Sequence, residues 1–98
     1  MKEKVNALII SKEDSVAVAI TELKSGDTAT FVVDEKIIEV NIIQDIPIYH
    51  KFSVLELYKD DLVYKYGQVI GRTTELIMKG QHVHTHNIVS ANEVTDHI

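Results

Sequence analysis

The densest run of chemistry-bearing residues in this chain is His82-Val83-His84-Thr85-His86-Asn87. On an extended strand, side chains two apart leave the same face, about 7 Å from one to the next. The three imidazoles would then line one surface, with Val83 and Thr85 behind them. Same-face imidazoles at i and i+2 can share one metal ion or meet an anionic ligand. The plain alternative is a solvent-exposed strand face that happens to be rich in histidine. A tag remnant is disfavoured, because the run is internal and interrupted by Val and Thr. Two histidines on one strand rarely complete a metal site, so a further ligand or a partner chain is required.

Two other constellations could act with it. In Pro47-Ile48-Tyr49-His50-Lys51, an imidazole and a fixed cation follow a proline turn. Such a pair can hold a carboxylate and stabilise negative charge on the adjacent carbon. Taken alone, it reads more simply as a turn with a solvated lysine. In Lys65-Tyr66-Gly67, a cation and a phenol flank a glycine that lets a ligand or another backbone come close. Its plain reading is a strand end with a snorkelling lysine. Other chemistries fail on context. Gly67-Gln68-Val69-Ile70-Gly71 lacks the spacing and the following helix of a phosphate loop. Ser15, Ser25 and Ser53 lack the strand–turn–helix elbow of a serine nucleophile. Asp60-Asp61 reads as a solvated turn.

The elements that must position these residues fit in one domain, because the chain has only 98 residues. Its 45% hydrophobic content is enough for a core, and the absence of cysteine excludes disulfides, thiolate metal sites and a cysteine nucleophile. The net charge of −5 leaves no basic surplus for phosphates, which argues against nucleic acid. The acidity sits mainly in residues 1–49, while all five histidines fall in residues 50–98. No apolar run approaches the roughly 18–20 residues of a membrane span. The first ten residues do not read as a signal peptide. A cytoplasmic protein with no membrane partner is expected.

Short apolar runs punctuated every 8 to 12 residues predict a mainly β domain. Strands are expected over residues 5–10, 28–33, 37–43, 51–57, 62–66 and 82–87, with a hairpin turn at Asp34-Glu35-Lys36. One short helix is expected over residues 15–23. There Val16, Ala17, Ala19, Ile20 and Leu23 fit a 3.6-residue period, Asp14 or Ser15 can cap the start, and Gly26 can close the end. Residues 89–98 read as a tail, helical or frayed, beyond a core of about 7–88. The sum suggests a small barrel or clip.

Four segments in order carry a family resemblance: Asp14 to Ile20, Asp45-Ile46-Pro47-Ile48-Tyr49-His50-Lys51, Lys65-Tyr66-Gly67-Gln68-Val69-Ile70-Gly71, and Gly80 to Asn87. Together they resemble the SAF domain of the altronate/galactarate dehydratase family, across nearly the whole chain. The resemblance implies a β-clip fold and a part in lyases that remove water, or sulfite, from sugar acids and hydroxy acids. It implies a divalent metal, iron(II) in the first place and manganese(II) as the other option. It also implies a much larger catalytic subunit, which would be a separate partner here because this chain stops at Ile98.

Under that resemblance the small chain would complete an active site at an interface. His84 and His86 would hold the metal or bond substrate hydroxyls, and the motif centres on these two rather than on His82. Lys51, Lys65 and Asn87 would bind the acidic substrate, and His50, Tyr66 and His86 would move protons. Where the family has glycine before His-Lys, this chain has Tyr49, a position at which glycine would permit positive φ or close approach. The other readings are a free-standing SAF module that senses a metal or an acidic metabolite without turnover, and a homo-oligomer that buries strand edges.

Overall fold

The computed structural model describes residues 4–90. Nine strands follow in chain order: β1 (Ala7–Leu8), β2 (Val16–Ala19), β3 (Thr28–Val33), β4 (Lys36–Asn41), β5 (Lys51–Ser53), β6 (Leu62–Lys65), β7 (Gln68–Thr73), β8 (His82–Val83) and β9 (Ile88–Ser90). All pairings are antiparallel, in a four-stranded sheet β1-β2-β5-β8, a hairpin β3-β4 and a three-stranded sheet β6-β7-β9. The mainly β expectation is met. The tail expected to be helical or frayed falls largely on residues 91–98, which lie outside the described residues, while Val89 and Ser90 belong to strand β9.

No helix occurs among the described residues, so the helix expected over residues 15–23 is corrected. Val16–Ala19 is a strand between β1 and β5, with Val16, Ala17 and Ala19 all buried. A strand covered on both faces reads as an unbroken apolar run, and its spacing then mimics a helical period. The supposed caps have other work. Ser15 accepts from the Tyr64 N–H through Oγ and donates its own N–H to the Tyr64 carbonyl, which ties β2 to β6. The side chain of Asp14 holds Ser11 N–H and Gly67 N–H, at 3.1 and 2.8 Å.

Apolar side chains gather in two clusters. The first holds Ala7, Ala17, Ala19, Phe31, Val40, Ile42, Ile46 and Phe52 among others, with the Phe31 and Phe52 rings tilted at 6.4 Å between centroids. The second joins Val16, Leu57, Val63, Ile77 and Val83 beneath the histidine-bearing segment. Truncating a fully buried phenylalanine such as Phe52 typically costs about 3–5 kcal/mol, so the first cluster anchors β5.

A local pattern recurs four times. The turns over residues 24–27, 47–50, 58–61 and 78–81 each close with the N–H of the fourth residue on the carbonyl of the first, at 2.8–3.0 Å. In each the third residue is left-handed: Gly26 (φ 98), Tyr49 (φ 68), Asp60 (φ 73) and Gly80 (φ 88). Positive φ at that position is what a type II turn requires. Each turn also opens a bulge, because its third and fourth residues face a single residue: Ile42, Ala19, Thr73 and Ser53 respectively. The turns join in pairs through the bridges Leu23–Ile46 and Leu57–Ile77. The 47–50 turn delivers His50 and Lys51 into β5, and the 78–81 turn delivers His82 into β8.

Candidate functional site

β5 and β8 run side by side, with Lys51 opposite Val83 and Phe52 opposite His82. That register sets His50, at the foot of β5, against the histidine-rich segment. His50 Nδ1 lies 2.9 Å from His82 Nε2. The His50 ring stacks on those of His82 and His84, at 5.1 and 4.5 Å between centroids, and the His82 and His84 rings are 5.7 Å apart. One ring nitrogen from each of these three residues lies within 4.8 Å of the others. The exposed His86 sits beside them, its ring 5.2 Å from that of His82.

The expected strand over residues 82–87 is corrected: only His82–Val83 is extended, and the chain then turns through residues 84–87. Asn87 makes the turn. Fully buried, it accepts the His84 N–H on Oδ1 (3.0 Å) and donates from Nδ2 to the His82 carbonyl (2.8 Å). The histidines are therefore gathered by a turn instead of being spaced along a flat face. His82 belongs to the cluster as fully as His84, although the motif had put the weight on the later two histidines. The signal available in sequence was strand pairing, since His50 and His82 meet only if β5 lies against β8.

The remaining candidates line the neighbouring surface. A cavity of about 360 Å³ is walled by Lys51, Lys65, Ile70, Thr85, Ile88 and Ser90. That volume suits a small organic acid. No carboxylate forms an ion pair with Lys51 or Lys65 among the described residues. Tyr66 stands at the exposed tip of the β6–β7 hairpin, where the Lys65 ammonium lies 4.6 Å from its ring centroid. Asp14 holds this hairpin tip in place through the Gly67 N–H, a positioning role that its reading as a helix cap concealed.

The electrostatics follow from crowding. Burial, then the neighbouring His86, His50, His84 and Lys51, pushes His82 down to about 4. His84 is lowered for the same kinds of reason: burial first, then His50, Lys51 and His86. Burial, with Lys65 nearby, also lowers the Lys51 ammonium. At neutral pH, His82 and His84 are consequently uncharged and offer lone pairs. A donor set of three clustered imidazoles, two of them held neutral, fits a divalent transition metal.

Comparison with known proteins identifies relatives of the chain. Residues 5–91 match the model of the family described as the altronate/galactarate dehydratase SAF domain. The chain is 32% identical over 87 residues to the (2R)-sulfolactate sulfo-lyase subunit alpha of Chromohalobacter salexigens, covering 86% of this chain and 93% of that one. It is 39% identical over 74 residues to the altronate dehydratase of Escherichia coli and 28% identical over 78 residues to that of Bacillus subtilis. Those alignments take in 76% and 80% of this chain but only 14% and 15% of the dehydratases.

Proposed function

The chain belongs to the altronate/galactarate dehydratase SAF domain family, and from that premise we propose that it is the small subunit of a two-part lyase. It would complete the active site of a larger catalytic subunit that eliminates water from a sugar acid, or sulfite from sulfolactate. The observation that carries this reading is the His50–His82–His84 cluster, whose chain neighbours Lys51 and Thr85 are walls of the two-lysine cavity. The near end-to-end match to a sulfo-lyase subunit that is itself a small separate chain supports the division into two chains.

The elimination breaks a C–H bond beside a carboxylate and expels hydroxide or sulfite from the neighbouring carbon as the double bond forms. Lys51 and Lys65 bind the carboxylate and offset the charge that builds there as the proton leaves. His50, His82 and His84 would hold a divalent ion, iron(II) or manganese(II), which when bound supplies Lewis acidity toward substrate oxygens. His86, beside the cluster and exposed, is assigned the proton-accepting role, and Tyr66 the donation to the departing group. Asn87, with its amide engaged in the turn, positions His82 and His84 rather than touching substrate.

The test is recovery of the tagged chain from its source lysate, followed by assay of whatever accompanies it. A stoichiometric, longer chain should co-purify. The pair should convert sugar acids or sulfolactate in the presence of iron(II), and His86→Ala should abolish that turnover with folding intact. A chain that recovers only itself and turns over none of these acids would instead be the free-standing sensor module.

A further inference from the structure

Outside the two hairpin tips, six four-residue turns among the described residues close with the N–H of the fourth residue on the carbonyl of the first: 11–14, 24–27, 47–50, 58–61, 78–81 and 84–87. In five of them the fourth side chain reaches back to accept the N–H of the first. Asp14 takes Ser11 (3.1 Å), Asp27 takes Lys24 (2.8 Å), Asp61 takes Tyr58 (2.8 Å), Gln81 takes Met78 (2.9 Å) and Asn87 takes His84 (3.0 Å). The sixth turn starts at Pro47 and ends at His50. Proline has no N–H, so nothing in that turn asks for the His50 side chain. The His50 ring nitrogen nearer its own backbone, Nδ1, is instead the atom that meets His82 Nε2 at 2.9 Å.

We propose that Pro47 is a positioning residue of the histidine site: by deleting one backbone donor, it releases the His50 imidazole from capping its own turn and leaves it to His82 and His84. The alternatives are mutually exclusive, because Nδ1 makes one hydrogen bond in the ring plane, as donor or as acceptor, and cannot both accept the turn N–H and meet His82. In the paired turn at 24–27, joined through the Leu23–Ile46 bridge, the first residue is Lys24, and Asp27 is drawn back onto its N–H. The same backbone frame thus yields a capped turn or a functional side chain according to whether its first residue has an amide proton. The lyase reading bears only on what the placed imidazole is used for, and the proposal holds or fails without it.

The experiment reads the imidazole directly, in the intact 98-residue chain without metal. In Pro47→Ala, the new amide at position 47 should donate to His50 Nδ1. The ¹⁵N spectrum should then show His50 fixed in the Nε2–H form, the amide at position 47 protected from exchange, and the His50 ring turned away from His82. Cobalt(II), used as a spectroscopic probe, should bind at least tenfold more weakly. A proline that merely stiffened the turn would alter stability without creating that bond. A second comparison removes any dependence on the histidine signals. His50→Asp in the native background has no donor to cap, whereas Pro47→Ala with His50→Asp rebuilds a turn of the Asp27 and Asp61 kind and should melt higher than His50→Asp alone. Retention of the His50–His82 hydrogen bond and of cobalt affinity in Pro47→Ala would overturn the proposal, as would a double variant no more stable than His50→Asp.

Discussion

His50 and His82 are 32 positions apart, yet Nδ1 of one lies 2.9 Å from Nε2 of the other, so one ring must lend a proton and the other a lone pair. The fold holds this couple uncharged at His82, whose titration lies at about 4 instead of the usual 6.5.

A pH dependence of stability follows. Between about pH 6.5 and 4, the unfolded chain carries the proton on His82 and the folded chain does not, so stability rises with pH across that window. The contribution is complete above pH 6.5 and disappears as pH falls toward 4. His84, lowered for like reasons, acts in the same direction. Urea midpoints measured from about pH 4 to 8 should decline on the acid side, and His82→Gln should flatten the decline. A wild-type midpoint that stays constant across that range would exclude this account.

Asp14 should behave as a structural acid. Burial alone would raise its carboxyl, but the N–H groups of Gly67, Ser11, Tyr66 and Ile10 outweigh burial and hold it below its usual 3.8. Its contribution is therefore present above that ordinary value and disappears as pH falls through the lower folded one. Asp14→Ala leaves the hydrogen-bonded Ser11 and Gly67 N–H groups without their acceptor and should cost about 1–3 kcal/mol. It should also speed hydrogen exchange at Gly67, because the carboxylate is what fastens the β6–β7 tip. An unchanged Gly67 exchange rate would remove Asp14 from the positioning of Lys65 and Tyr66.

The strand-rich class, the β3–β4 hairpin and the three chemistry-bearing segments were legible in sequence, because alternation and turn residues are local signals. β2 was not, since a strand buried on both faces carries no alternation. The histidine run misled for a related reason. Its period of two is the strand signal, but Asn87 bends the chain by bonding both His82 and His84, and such a turn is specified by one buried amide rather than by periodicity. The fourfold turn has no residue signature, since its third residue is Gly, Tyr, Asp and Gly in succession. What repeats is backbone conformation, not residue type. The place of His82 in the cluster depends on pairing between strands about thirty residues apart, which no local pattern encodes.

Tyr49 tests that conformational repeat. It holds φ 68 where two of its three counterparts are glycine, and it is 70% exposed, so its ring gains little from packing. A left-handed conformation costs a side-chain-bearing residue about 1–2 kcal/mol, while glycine gives up about 0.5–1 kcal/mol through the freedom of the unfolded chain. Tyr49→Gly should therefore be neutral to stabilising by up to about 1 kcal/mol, with the His50–His82 hydrogen bond preserved. Thermal melting and the ¹⁵N signals of His50 check both parts. A clear loss of stability would mean that the tyrosine ring supports the turn.

Gly71 and Gly67 lie four residues apart on one hairpin but fail for different reasons when given a methyl group. A Cβ on Gly71 would run into the backbone carbonyl of Val89, because β9 pairs closely alongside β7 with Gly71 opposite Ser90. Backbone cannot yield as a flexible side chain can, so Gly71→Ala should displace β9 and cost about 1–3 kcal/mol or more. Ile88 and Ser90 of β9 are walls of the lysine cavity, so that cavity should change shape as well. A Cβ on Gly67 meets nothing, and only its φ of +75 opposes it. Gly67→Ala should cost about 1–2 kcal/mol of left-handed strain and leave β9 in register. Methyl NMR shifts of Ile88 and Thr85 distinguish the two: they should move in Gly71→Ala and stay put in Gly67→Ala. Equal shifts in both variants would mean that β9 is held by the hairpin tip rather than by the close approach at Gly71.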